Sequence, residues 1–126
     1  MEEVHADDAP VFDLPFSQAT VNDGTVYVSG QVPIDPETMR VVEGGIEAEA
    51  RQTLDNIATI LEAAGSSFDS VLKTQVYLTD MDDFDAFNAV YEEYVGDPRP
   101  ARSAFAVDEL AIDIAVEVDV VAAVED

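Results

Sequence analysis

In the segment DPRPARSAF, residues 97–105, two of the chain's five basic side chains stand three residues apart, against 28 acids in the whole sequence. Arg102 follows Pro100 and opens an expected strand. A planar guanidinium there can grip a carboxylate through two parallel hydrogen bonds. The competing reading is an ion pair with one of the many acids, and in this background that reading ordinarily wins. Glu117 is the second candidate, a mid-strand carboxylate between Val116 and Val118. Partial burial there would raise its pKa and suit it to proton transfer; the alternative is one more solvated acid.

Three short segments combine polar groups with restrictive backbone: PFSQA (15–19), VSGQVP (28–33) and PARS (100–103). Gly30 inside a strand permits a bulge or the close approach of another group, unless it is simply a strand-end glycine. Gln18 and Gln31 can equally serve to satisfy backbone groups. Asn88 interrupts an apolar helical stripe, where structural hydrogen bonding is the commoner role. The single histidine, His5, reads as a mobile surface residue. Acid–base work therefore falls to carboxylates, tyrosines, water or backbone.

Several chemistries lack their motifs. There is no glycine-rich phosphate loop, no nucleophile elbow and no His/Cys ligand cluster, and cysteine is absent altogether. DMDDFD lacks the glycine and distal glutamate of a calcium loop, so capping is its reading. No metal and no cofactor is expected. The formal net charge of −23 is the other strong signal. Such self-repulsion destabilises a compact state at low salt, whereas at molar salt the screening length falls to about 3 Å. The acids are spread along the chain, which reads as adaptation to a salt-rich, halophilic cytoplasm rather than as a patch for a basic partner. No basic patch is available for nucleic acid.

An apolar content of 48% fits one globular domain spanning 1–126, with residues 1–14 irregular. No apolar run of membrane-spanning length and no signal-peptide pattern occurs, so a cytoplasmic location is expected. SQATVNDGTVYVSGQV reads as two strands around Asn22-Asp23-Gly24, with Asn and Gly accepting positive φ. PIDPETMRVV reads as a loop leading into a short strand. Ile46, Ala50, Leu54, Ile57, Leu61 and Ala64 recur at helical spacing, with Gly65 as the stop. Residues 70–80 predict a strand, and 81–95 a second helix with Phe84, Phe87, Val90, Tyr91 and Tyr94 on one stripe. Alternation from Ile112 to Val120 predicts the last strand. Two helices cover one face of the mixed sheet, which makes a two-layer α+β fold. The open face would carry Tyr27, Ser29, Val71, Lys73, Gln75, Tyr77 and Glu117, too apolar for open water, so oligomerisation is expected around it.

Taken in order, PFSQA, VYVSGQVPIDPET, the stretch from EAEARQ to YEEYV, PRPARSAFAVDEL and AVEVDVVA resemble the Rid family, also called the RidA/YjgF or L-PSP family. The resemblance covers roughly residues 14–124. It implies a chorismate-mutase-like fold, a homotrimer with sites in clefts between subunits, and cofactor-free hydrolysis of reactive 2-enamino or 2-imino acids to 2-oxo acids and ammonia. By position, it implies that Arg102 and the Ala104 backbone N–H hold the substrate carboxylate. It further implies that Glu117 orients or activates the attacking water, Ser29 and the Gly30 backbone line the imine end, and Asn88 supports the pocket. Phe16 stands where many members carry Tyr, Ala104 where some carry Cys, and Leu110-Ala111 lacks a proline often found there. The alternative is a trimeric metabolite-binding or protein-protective module; a ribonuclease or translation inhibitor is disfavoured by the charge.

Overall fold

The computed structural model describes residues 1–126. Its strands are β1 (Glu2–Val4), β2 (Ala19–Asn22), β3 (Thr25–Gln31), β4 (Val71–Leu78), β5 (Ala101–Ala106) and β6 (Val116–Ala123); its helices are α1 (Gly45–Ala63) and α2 (Phe84–Tyr91). One sheet runs in the order β1-β2-β3-β6-β4-β5. Every pairing is antiparallel except β4 with β5, which α2 connects as a crossover. This is the expected two-layer α+β fold.

The β2–β3 hairpin closes on two residues, and both Asp23 (φ 50°) and Gly24 (φ 76°) occupy the left-handed region. That turn matches the right-handed twist of the strands. Positive φ thus falls on Asp23 and Gly24, not on Asn22. Helix α1 buries Ala50, Leu54, Ile57, Ile60 and Leu61, as its spacing predicts, and ends before Gly65 at φ 78°. From α2, Phe87 and Val90 complete the layer. Against them lie Val26 and Val28 of β3, Val76 and Leu78 of β4, and Val116, Val118 and Val120 of β6. Each large aliphatic side chain so buried contributes about 1.5–3 kcal/mol.

Five expectations need correction. Residues 1–14 are not wholly irregular: Glu2–Val4 pair with β2, and Ala6 is tied down by Gln18, which accepts from Ala6 N (2.7 Å) and donates to the carbonyls of Ala6 and Pro10. Val71 faces the helices, because an irregularity between Val71 and Lys73 shifts the β4–β6 register and leaves Leu72 as the exposed extra residue. The last strand starts at Val116; Ile114 is buried ahead of it, but Ile112 is 40% exposed in an irregular segment. The 33–42 segment forms only an isolated bridge, Ile34 to Val41. Finally, α2 is shorter than its stripe, preceded by a 3-10 turn at Met81–Asp83 whose Asp82 N–H donates to Asp80.

The open face keeps Tyr27, Lys73, Gln75, Tyr77 and Glu117, as expected. Tyr77 packs edge-on against Phe105, with centroids 5.0 Å apart, and donates to Asp119 at 2.7 Å. Lys73 donates to Ser103 across the β4–β5 ladder. Tyr27 remains 51% exposed.

Candidate functional site

Strand register decides where each candidate points. Arg102 is opposite Thr74, and Thr74 is opposite Val120, a core residue; paired residues share a face, so Arg102 lies on the helix side of the sheet. Its guanidinium carbon stands 5.5 Å from the Phe84 ring centroid and 5.1 Å from that of Tyr91. A cation held over two ring faces is stabilised without a carboxylate. Tyr91 is fixed in turn by donating to Thr74 Oγ1 at 2.9 Å. Burial pushes the Tyr91 phenol up, while that hydrogen bond and the nearby guanidinium pull it down.

The chain has two arginine–carboxylate ion pairs, Arg51–Glu93 and Arg99–Glu92, and a hydrogen bond between His5 and Asp7. Arg102 is in none of them, so the reading that ordinarily wins for a cation in this background does not hold here. Arg99 does pair, but with Glu92 at 3.4 Å rather than with Asp97, because both side chains line the same cavity. That cavity, of about 260 Å³, is lined by Arg102, Arg99, Asn88, Tyr91, Glu92, Val95 and Pro100. Asn88 Oδ1 is buried there without a hydrogen-bond partner, an acceptor left unsatisfied at a real free-energy cost. Ala104, opposite Val76, shares the helix-side face with Arg102 and packs against the core.

Glu117 lies on the other face. It is opposite Tyr77, whose hydroxyl donates to Asp119 two residues further along β6. Burial raises its pKa, and the neighbouring Asp119 adds to the rise. The β3–β6 ladder is irregular between Val28 and Gln31, which frees Ser29 and Gly30 from regular pairing. Glu117 Oε2 rests so close to Gly30 that any Cβ there would collide with it. The close-approach reading of Gly30 is therefore the correct one. Ser29 donates from Oγ to Ser17 O (2.6 Å) and from N–H to Gln18 O (2.9 Å), which holds the PFSQA segment beside Glu117. Gln31 is buried on the core side and donates to Ser29 O, in line with its backbone-satisfying reading.

Phe16, Ser29, Gly30 and Glu117 line one cavity of about 460 Å³, together with Phe12, Leu14, Val32, Ile34, Ala111 and Ile112. The structure thus brings the seven candidates into two groups on opposite faces: Arg102, Asn88 and Ala104, and Phe16, Ser29, Gly30 and Glu117. Sequence reasoning missed Phe84 and Tyr91 as supports of Arg102, since both fitted an apolar stripe. It also missed Phe12 and Leu14, whose signal was their apolar character within an acidic segment. No group of three or more His, Cys, Asp or Glu side chains is arranged to hold a metal ion, and no helix is long and apolar enough to cross a membrane.

The family model described as Endoribonuclease L-PSP matches residues 7–124. The chain belongs to the Rid, or L-PSP, family. Among its Rid relatives, a RutC family protein of Pyrococcus horikoshii is 44% identical over 96% of each chain. The mouse protein named 2-iminobutanoate/2-iminopropanoate deaminase is 44% identical over 90% of this chain and 84% of its own length. The crystal structure of RidA from an Antarctic Psychrobacter superimposes with a TM-score of 0.93, at 40% identity, over 98% of this chain and 99% of that one. The Rid fold and membership are thereby shown, and some relatives carry the name of a deaminase.

Proposed function

We propose that the chain hydrolyses reactive 2-enamino and 2-imino acids to 2-oxo acids and ammonia, at a site completed between copies of itself. The observation that carries this reading is Arg102: a cation without a carboxylate partner in a chain of 28 acids, preoriented between two rings beside an unsatisfied asparagine oxygen. A substrate carboxylate accepts from the Arg102 guanidinium, with the Ala104 N–H as a second donor. Glu117 cannot reach that substrate from within the same chain, because it projects from the opposite face of the sheet. A head-to-tail, heterologous contact sets the Arg102 edge of one copy against the Glu117 cavity of the next, and three such contacts close a ring. The exposed Tyr27 and Phe105 on the open face support such cover.

Chemistry in that cleft needs little more than placement. An enamine tautomerises to the imine, whose C2 is electrophilic. Glu117 takes a proton from water as the oxygen bonds to C2, and nitrogen gains a proton. Collapse of the carbinolamine breaks C–N, releases ammonia and leaves the 2-oxo acid. A carboxylate with a raised pKa is the stronger base, so it takes the water's proton more readily than an ordinary one. Ser29 Oγ already donates to Ser17, so its lone pairs are free to accept from the imine N–H. Pinning the carboxylate and one water converts a bimolecular attack into an effectively unimolecular one.

Coupling the protein to a serine or threonine dehydratase at high salt, and following 2-oxo acid formation, tests this reading. Acceleration over spontaneous hydrolysis that is lost on Arg102→Ala supports it; no acceleration ends it. A binding module is favoured instead by the apolar Phe16 and Ala104, which supply neither a hydroxyl nor a thiol. Its mark is 2-oxo acid binding without turnover, unaltered by Glu117→Gln. RNA cleavage is opposed by the net charge of −23.

A further inference from the structure

The wall opposite Glu117 has a chemistry of its own. Phe12, Leu14 and Phe16 come from the segment before β2, Ile34 from the loop after β3, and Ile112 from the loop before β6. Together they make most of a cavity of about 460 Å³ apolar, a volume within the usual range of small-molecule sites. The Phe12 and Phe16 rings stand 6.5 Å apart at 44°, a tilted pair rather than a closed stack. Leu14, Phe16 and Ile112 are 58%, 51% and 40% exposed, so the wall faces open space. The cavity's polar groups are few: the Glu117 carboxyl, Ser29 and the Gly30 backbone, all joined by the β3 irregularity.

Such a lining is polar where the reaction would occur and apolar elsewhere. A substrate with a methyl or ethyl side chain occupies the polar part and leaves the apolar wall wet. A longer side chain displaces that water and gains contact along the whole wall. Resting on the hydrolase reading above, we infer that this cavity selects 2-imino and 2-oxo acids bearing a large apolar side chain, branched aliphatic or aromatic, over the short methyl and ethyl members. Phe16 and Ile112 are its specificity-determining walls, and Arg102 of the adjoining copy holds the common carboxylate.

Imino acids generated in place by an amino-acid oxidase from leucine, phenylalanine and alanine, with catalase present, provide the test. The expected result is a kcat/KM for the leucine- and phenylalanine-derived imines at least about ten-fold above that for the alanine-derived one, the scale at which apolar pockets discriminate. Phe16→Ala and Ile112→Ala should each narrow that ratio. An alanine-derived imine used equally well or better overturns the inference. So does a Phe16→Ala protein that lowers all substrates in one proportion, or that dissociates by light scattering, since Phe16 is then an intersubunit contact. Calorimetry with 4-methyl-2-oxopentanoate and pyruvate separates this from the hydrolase reading. Tighter binding of the branched acid without turnover sinks the hydrolase and sustains the pocket; equal binding of both acids sinks the pocket.

Discussion

The two polar groups of this molecule are built on opposite terms. Arg102 is held by its own chain: Phe84 and Tyr91 flank the guanidinium, Thr74 fixes Tyr91, and the cavity beside it is small and polar. Glu117 is held from behind only, pressed onto Gly30 with Ser29 anchoring the neighbouring segment, while the rest of its larger cavity is apolar and open. A cation needs a partner of opposite charge or a ring face, and a single chain can supply the ring face. A carboxyl with a raised pKa needs partly dry surroundings; the chain's own packing already supplies some of that burial, and cover over the open face would add to it. The difference teaches that, under the proposed hydrolase reading, a lone copy carries Arg102 and Glu117 on opposite faces and cannot bring them together.

The largest expected effect tests the Arg102 half. Arg102→Ala should lower kcat/KM by about 100-fold or more, through lost charge-assisted bonds and lost placement. Arg102→Lys should recover only part of this, because an ammonium lacks the bidentate fork. A change confined to a few-fold would mean that the carboxylate is gripped elsewhere. The matching blow to the other half is Gly30→Ala. Its Cβ collides with Glu117, so the carboxyl must move, at a cost in stability of about 1–3 kcal/mol. Activity should fall further than stability does. Unchanged activity would separate Glu117 from the reaction.

A smaller effect comes from pH. The folded-state pKa of Glu117 lies above its ordinary 4.5, so the folded protein binds more proton than the unfolded chain between those two values. This group's contribution to stability is therefore fully present below pH 4.5 and is lost as pH rises through its folded pKa. Glu117→Gln, which mimics the neutral acid, should raise the melting temperature at pH 7 relative to the parent. The advantage should vanish at pH 4. In the parent, kcat/KM should fall on the acidic side as Glu117 takes up a proton, and Arg102→Lys, which leaves that carboxyl in place, should keep the same limb. The smallest effect is Arg99→Ala: its pair with Glu92 has side chains 69% and 66% exposed, so stability should change by about 0.5 kcal/mol or less.

Much of the fold was legible because burial writes a period into the sequence. The alternation of Val116, Val118 and Val120 and the spacing of α1 are both direct imprints of one buried face. What was not legible depends on partners distant in the chain. Glu2–Val4 become a strand only because β2 lies beside them, and three residues carry no period. Val71 looked like an open-face residue because nothing local marks a shift in register. For the site, Arg102 and Glu117 stood out as residue types in unexpected settings. Their separation onto opposite faces did not, because it requires the pairings of Arg102 with Thr74 and of Glu117 with Tyr77.

The direct test of a site completed between copies is complementation. Arg102→Ala and Glu117→Gln proteins, each inactive alone, are unfolded together and refolded as a mixture at high salt, and 2-imino acid hydrolysis is measured. In a head-to-tail ring, random assembly restores one intact Arg102–Glu117 cleft at about a quarter of the interfaces. The account predicts recovery to about a quarter of the parent's activity on that statistical ground. A mixture that assembles normally yet stays as inactive as its components would contradict it.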